Sequence, residues 1–369
     1  MVTLLPGVQS ATIDTARLRT HYLESGPADG VPVVLVHGNL SSARVYEHLM
    51  TAIPQGYRVI APDMRGFGGS AHLTLDATRG LADWADDVAA LLDSLGVAQP
   101  PHLVGWSAGG GAITRYAIAG RPVASLTLID PVGPFGFCGT HADGRPWFDD
   151  YAGSGGGIAN SEFTARMASR DRSTESPFSP CAVMTSSFLG GDDTVEPERR
   201  DVLLEEMLKT WVGEDNFPGD VAESPNWPGI APGTTGILNA LSPKYCRWTE
   251  IVDLEVKPPV LWAHGSEDPV VSDASTWDPG VLGAAGLIAG WPGADVCPAQ
   301  PMVTQTRDVL RDYADTGGYV RTEWLDGAHH LPLFECRDRW LAAFVEFLDT
   351  AERVNASRQL PSRAPVSHG

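Results

Sequence analysis

The sequence predicts an α/β protein: a doubly wound, mostly parallel sheet with a mainly helical segment inserted after the sixth strand. Three observations carry this. Short apolar runs alternate with helix-like stretches four times before residue 130, the pattern of a parallel sheet with crossover helices. The alternation breaks at residue 134 and resumes near residue 251. One apolar run, His102-Leu103-Val104-Gly105-Trp106, passes through Ser107-Ala108-Gly109 directly into a helix-like stretch. That is a strand–turn–helix junction with a serine at its tip.

Taken in order, residues 10–25 alternate loosely and read as a hairpin of edge strands. Val31–Val36 is almost continuously apolar, as a strand covered on both faces should be. It ends in His37-Gly38-Asn39-Leu40, and a helix-like stretch follows over 43–53. Residues 57–61 form a short strand running into Asp63-Met64-Arg65-Gly66-Phe67-Gly68-Gly69-Ser70. Leu81, Trp84, Val88, Leu91, Leu92 and Leu95 recur at helical spacing, with Asp83, Asp86, Asp87 and Asp93 between them and Gly96 as the stop. The junction strand, its helix over 108–120 and a strand at 125–129 ending in Asp130-Pro131 complete the first half.

The core therefore spans 1–133 and 251–352, with a lid over 134–250 and a second insertion over 273–300. The lid segment is rich in Gly, Pro, Ser and aromatics. Its helical patterns cover 160–169 and 197–212, the latter with Leu204, Met207, Leu208 and Trp211 on one face. The core resumes with a strand at 259–264, a helix at 302–314, a strand at 319–325 and a helix marked by Trp340, Leu341, Phe344, Phe347 and Leu348. Residues 353–369 are polar and read as a disordered tail.

Composition narrows the function. The formal net charge is −20 over 369 residues, which disfavours nucleic acid and anionic membrane surfaces as partners. No apolar run is long enough to span a bilayer. Five scattered cysteines without a CxxC pattern argue against a disulfide framework or a zinc site, and fit a cytoplasmic setting. One bridge among Cys138, Cys181 and Cys246 stays open, because all three fall in one insertion.

Ser107 at such a junction is a candidate nucleophile, and a serine needs a base. His330 follows the strand at 319–325 in a short loop; its neighbour His329 is the rival, and the spacing to Pro332 and Glu335 favours His330. The base needs an anion to hold its tautomer. Asp268, just after a core strand, ranks first; Asp130, also after a core strand, is the alternative, and Glu267 is third. Backbone N–H groups should stabilise an oxyanion: Ala108 after the nucleophile, and Asn39 (or Leu40) after the first core strand. No metal-ligand spacing accompanies the histidines, and no Rossmann or P-loop pattern is present, so neither metal nor organic cofactor is expected.

These motifs together resemble the α/β-hydrolase-fold family. The resemblance rests on His37-Gly38, the Asp63-x-Arg65-Gly66-x-Gly68-x-Ser70 turn, Gly105-x-Ser107-x-Gly109, Gly265-x-x-Asp268 and Gly327-x-x-His330-x-Pro332, in the family's order Ser, Asp, His. It covers 1–133 and 251–350. Asn39 after His-Gly also occurs in haloalkane dehalogenases and some epoxide hydrolases of this fold, which use an aspartate nucleophile; Ser107 implies esterase-like chemistry instead. Ala328 departs from the glycine the family often has there.

The resemblance implies a serine hydrolase with an acyl-enzyme intermediate. Tryptophans and phenylalanines are concentrated in the two insertions, so a pocket walled by Leu40, Trp106, Phe135, Trp147, Trp227 and His329 is expected, fitting an apolar small-molecule ester or lactone. C–C hydrolysis of a diketone-like substrate and amide hydrolysis use the same triad. A cofactor-free perhydrolase or lyase and a slow ligand-binding module are the remaining alternatives.

Overall fold

The computed structural model describes residues 3–359. The first two strands, β1 (Gln9–Asp14) and β2 (Arg19–Ser25), pair antiparallel. Then β3 (Val31–Val36), helix α1 (Glu47–Ala52), β4 (Tyr57–Pro62), α2 (Ala82–Ser94), β5 (His102–Trp106), α3 (Ala108–Ile118) and β6 (Ser125–Ile129) alternate as expected. The segment after β6 carries α4 (Ser161–Ala168), α5 (Pro180–Val183), a π-turn at Met184–Phe188, α6 (Pro197–Met207) and α7 (Ile237–Leu241). Two ribbons lie among them: β7 (Val212–Gly213) with β8 (Phe217–Pro218), and β9 (Val221–Glu223) with β10 (Ile230–Pro232). Helices thus supply most of its regular structure, but they are short and joined by long loops. The core returns with β11 (Val260–Gly265), α8 (Pro279–Ala284, in the second insertion), α9 (Met302–Asp315), β12 (Val320–Leu325), α10 (Pro332–Glu335) and α11 (Arg337–Gln359).

The eight core strands form one sheet in the order β1-β2-β4-β3-β5-β6-β11-β12, parallel from β4 onward. Val33, Val34, Leu35 and Val36 are fully buried, which is why this run lacks polar alternation. The chain leaves β3 toward β4 on one side, then returns to place β5 on the other. That reversal opens a crevice beyond the carboxyl ends of β3 and β5, where open α/β sheets bind ligands.

Several details differ from the sequence reading. Asp83 and Asp87 do not lie on a solvated face of α2. Both are buried, held by Arg65 (Nη1 to Asp83 at 3.1 Å, Nε to Asp87 at 2.6 Å) and by Arg17. Trp211 lies beyond the end of α6, half exposed and stacked on His72. Residues 353–359, expected to be disordered, continue α11. Glu352 pairs with His102 at 2.8 Å and Asn355 donates to the Ala124 carbonyl at 2.9 Å, so polar side chains here tie the helix to the sheet. The rest of the expected tail lies outside the described residues. All five cysteines are free thiols. No described helix is long and apolar enough to cross a membrane.

Candidate active site

Ser107 sits between β5 and α3 at φ 55°, ψ −121°, a conformation unfavourable for a residue with a side chain. The surrounding backbone holds it there. The Ser107 N–H donates to Ile129 (2.9 Å), and the Ser107 carbonyl accepts from Gly110 (3.0 Å) and Val132 (3.1 Å). Two glycines let neighbouring chains close in. A Cβ at Gly109 would lie 2.1 Å from the Val36 carbonyl oxygen, and one at Gly38 would lie 2.9 Å from Cβ of Ser107. The loop after β3 is thereby pressed against the serine.

His37 fixes that loop. It is fully buried, its Nδ1–H donates to the Gly38 carbonyl at 2.7 Å, and Nε2 accepts the Met64 N–H at 3.0 Å. Burial lowers its pKa and keeps the ring neutral. Leu40 (φ 58°) spends its N–H on the side-chain oxygen of Asn39 at 2.9 Å. The N–H groups of Asn39 and Ala108 have no acceptor among the described residues. Of the two candidates in this loop, Asn39 therefore has the available donor.

Asp268 and His330 come together from the ends of β11 and β12. Both are buried, with His330 Nδ1 at 2.8 Å from Asp268 Oδ2. Asp268 Oδ1 accepts the N–H groups of Val270 (2.7 Å) and Val271 (3.1 Å). The imidazole packs against the rings of Trp106 (5.2 Å) and Phe188 (5.6 Å), which also touch each other (5.7 Å), and the His330 carbonyl accepts the Trp106 indole N–H at 2.6 Å. Ser107 and His330 line one cavity, and no hydrogen bond joins their side chains.

The other acid candidates are placed differently. Asp130 is fully buried beside this pair but makes no hydrogen bond to His330; it accepts the Gly265 N–H at 2.8 Å. Glu267 is exposed. One oxygen each of Asp130 and Asp268 and a ring nitrogen of His330 lie within 4.8 Å of one another. A metal ion could span that distance, but Asp268 and His330 are already hydrogen-bonded to each other.

The cavity is narrow, about 40 Å³. Only Asn39, Ser107 and His330 give it polar groups; its apolar wall includes Leu40, Val132, Phe137, Phe188, Leu241 and Trp277. Of the expected pocket residues, Leu40 lines it. Trp106 lies behind His330, bonded to its carbonyl rather than facing the cavity. Phe135 lies in a separate surface cleft beneath the Arg247 guanidinium. Trp147 and Trp227 pack on each other, with the Trp227 indole N–H on the Ala289 carbonyl, so they join the two insertions to one another. His329 is held by Glu335, which accepts its backbone N–H (2.6 Å) and pairs with its Nδ1 (2.9 Å). Burial pushes the Glu335 pKa up.

Sequence reasoning missed Val132, Val270 and Val271. Each follows a strand-end aspartate-proline pair, so the position rule for α/β crevices was signal enough. Phe137, Leu238 and Leu241 had no comparable marker.

A model of the alpha/beta hydrolase fold matches residues 31–281. A non-heme chloroperoxidase of Streptomyces lividans is 38% identical over 136 residues, 35% of this chain and 48% of that protein. A 2-hydroxy-6-oxo-6-phenylhexa-2,4-dienoate hydrolase of Comamonas testosteroni is 36% identical over 125 residues, 32% and 42% of the respective chains. The matches thus span less than half the length of these relatives. An esterase of a Rhodococcus species superposes with a TM-score of 0.57 at 19% identity, covering 94% of this chain and 99% of that one. At that identity the likeness establishes the fold alone.

Proposed function

The chain belongs to the alpha/beta hydrolase fold family, and on that premise we propose that it is a serine hydrolase cleaving a carboxylic ester or lactone with a compact apolar acyl group. One observation carries the reading. A serine held at φ 55° at a strand–helix junction shares an apolar cavity with a histidine whose other nitrogen is on a buried carboxylate. No other described serine has that setting.

In this reading His330 Nε2 takes the Ser107 Oγ proton as Oγ attacks the acyl carbon, and Asp268 steadies the imidazolium through Nδ1–H. The N–H groups of Asn39 and Ala108 receive the oxyanion, each worth roughly 10²–10³ in rate. His330 then protonates the leaving alkoxide, and water deprotonated by the same nitrogen frees the acid. Residues 134–250 serve as a lid, since Phe137, Phe188, Leu238 and Leu241 from this segment wall the cavity.

The test is turnover of p-nitrophenyl esters of rising acyl length by the native chain, Ser107→Ala and His330→Ala. Ester hydrolysis lost in both variants supports the mechanism. Hydrolysis that survives Ser107→Ala overturns it. Native inactivity on esters, with Ser107-dependent cleavage of a diketone-like compound, would move the reaction to C–C bonds.

A further inference from the structure

Asp130 is a buried acid beside Asp268 and His330 to which the proposed chemistry gives no step. It is fully buried at the end of β6, at φ 40°, with its carboxyl beside that of Asp268. Two carboxylates this close, both away from water, cannot both stay ionised without a matching cation.

The hydrogen bonds are divided unequally between the two acids. Asp268 is met by three donors: the N–H groups of Val270 and Val271, and His330 Nδ1–H. Asp130 is met by one, the Gly265 N–H on Oδ1, while its Oδ2 is buried with no partner. His264 offers no counter-charge. Its Nδ1 lies 3.0 Å from Asp130 Oδ1 but has no hydrogen-bond partner, and burial lowers the ring's pKa to about 4. Glu335 adds a further carboxyl to the surroundings. Negative charge is best placed on the acid with three donors, and a proton on the acid with an orphaned oxygen.

We infer that Asp130 is a neutral carboxylic acid whose Oδ2–H donates to Asp268, making it a positioning residue that holds the Asp268 carboxylate toward His330. This deepens the serine-hydrolase reading and rests on its assignment of Asp268. Burial and the neighbouring Asp268 charge both raise the Asp130 pKa, in agreement.

The inference separates Asp130 from Asp268 by experiment. Asp130→Asn keeps the shape and puts an N–H donor where the O–H would be. It should rescue the kcat that Asp130→Leu, which has no donor there, loses, and should leave the acid limb of the kcat/KM profile where it was. Asp268→Asn should lose activity by on the order of 10⁴-fold through the wrong tautomer. If instead Asp130→Asn moves the acid limb to lower pH, or Asp268→Asn retains activity while Asp130→Asn does not, Asp130 is ionised and the inference fails.

A second readout needs no turnover. In the native chain with ¹³C-carboxyl-labelled aspartate, one side-chain carbon should keep the chemical shift of a protonated acid at about pH 8. It should vanish in Asp130→Asn. The absence of any such resonance in the folded native chain overturns the inference. If no ester is hydrolysed but the resonance is present, the proposed reaction fails while the proton stays where we place it.

Discussion

The backbone N–H of Leu331 donates to the carbonyl of Phe188 at 2.9 Å. This bond ties the loop carrying His330 to the π-turn at Met184–Phe188, so a residue of the inserted segment is fixed against the site. Phe188 lies with its ring 5.6 Å from His330 and 6.0 Å from Trp277. π-turns recur at functional sites because they push a side chain out of helical register.

Phe188 should therefore set the acyl length accepted. Phe188→Ala opens the narrow cavity while keeping an apolar wall, and the preferred p-nitrophenyl ester should lengthen by about two to four carbons. The measurement is kcat/KM across the ester series. An unchanged length profile would mean that acyl groups do not reach Phe188.

Glu335 should matter to rate more than to binding. Its two oxygens hold the backbone and ring of His329, one residue from the candidate base. Glu335→Ala releases that loop, and kcat should fall on the order of 10- to 100-fold with KM little changed, since small displacements of a reacting group are costly. Glu335→Gln still accepts the backbone N–H and should retain most of the rate. Equal losses in both variants would show that the charge, not the clasp, is what counts.

Much of the fold and of the candidate site was legible in the sequence because the candidate residues follow core strands. Val31–Val36, His102–Trp106 and Val260–Gly265 announce buried parallel strands by their mostly apolar runs; Ser107 follows one directly and Asp268 lies three residues past another. The pocket wall was much less so. Trp147 and Trp227 read as wall residues by type and location, yet they pack on each other, and Trp227 bonds to Ala289 of the second insertion. Composition shows that an insertion is aromatic, but which ring faces the site depends on how the insertion docks. The Phe188–Leu331 bond joins positions far apart in the chain and leaves no periodic trace.

Gly109 should not tolerate a side chain. The Val36 carbonyl oxygen lies where the new Cβ would go, and the clash is with backbone that cannot rotate away. Gly109→Ala should cost about 1–3 kcal/mol or more in urea unfolding and abolish Ser107-dependent turnover, because relief of the clash moves either the loop holding Asn39 or the serine itself. Native stability in that variant would show that α3 and β3 sit farther apart than described.

Asp278 and His264 should give opposite pH dependences of stability. Asp278 is fully buried, and burial raises its pKa from 3.8 to about 6, against the N–H groups of Gln300 and Gly280 that it accepts. The folded chain then holds that proton more tightly than the unfolded chain, so this group's contribution falls as pH rises from about 4 to about 6. His264 is the reverse case. Burial lowers its pKa from 6.5 to about 4, so the unfolded chain binds the proton more tightly and stability rises with pH through that window. The two slopes oppose each other in the native chain. Asp278→Asn should gain stability relative to native as pH rises from about 4 to 6. His264→Phe, which keeps the stacking on Trp324 at 5.2 Å, should lose stability relative to native over the same range. Urea unfolding midpoints of the three proteins at about pH 4, 5 and 7 check both signs. Two flat difference curves would mean that neither group changes its proton affinity on folding, and that both sites admit water.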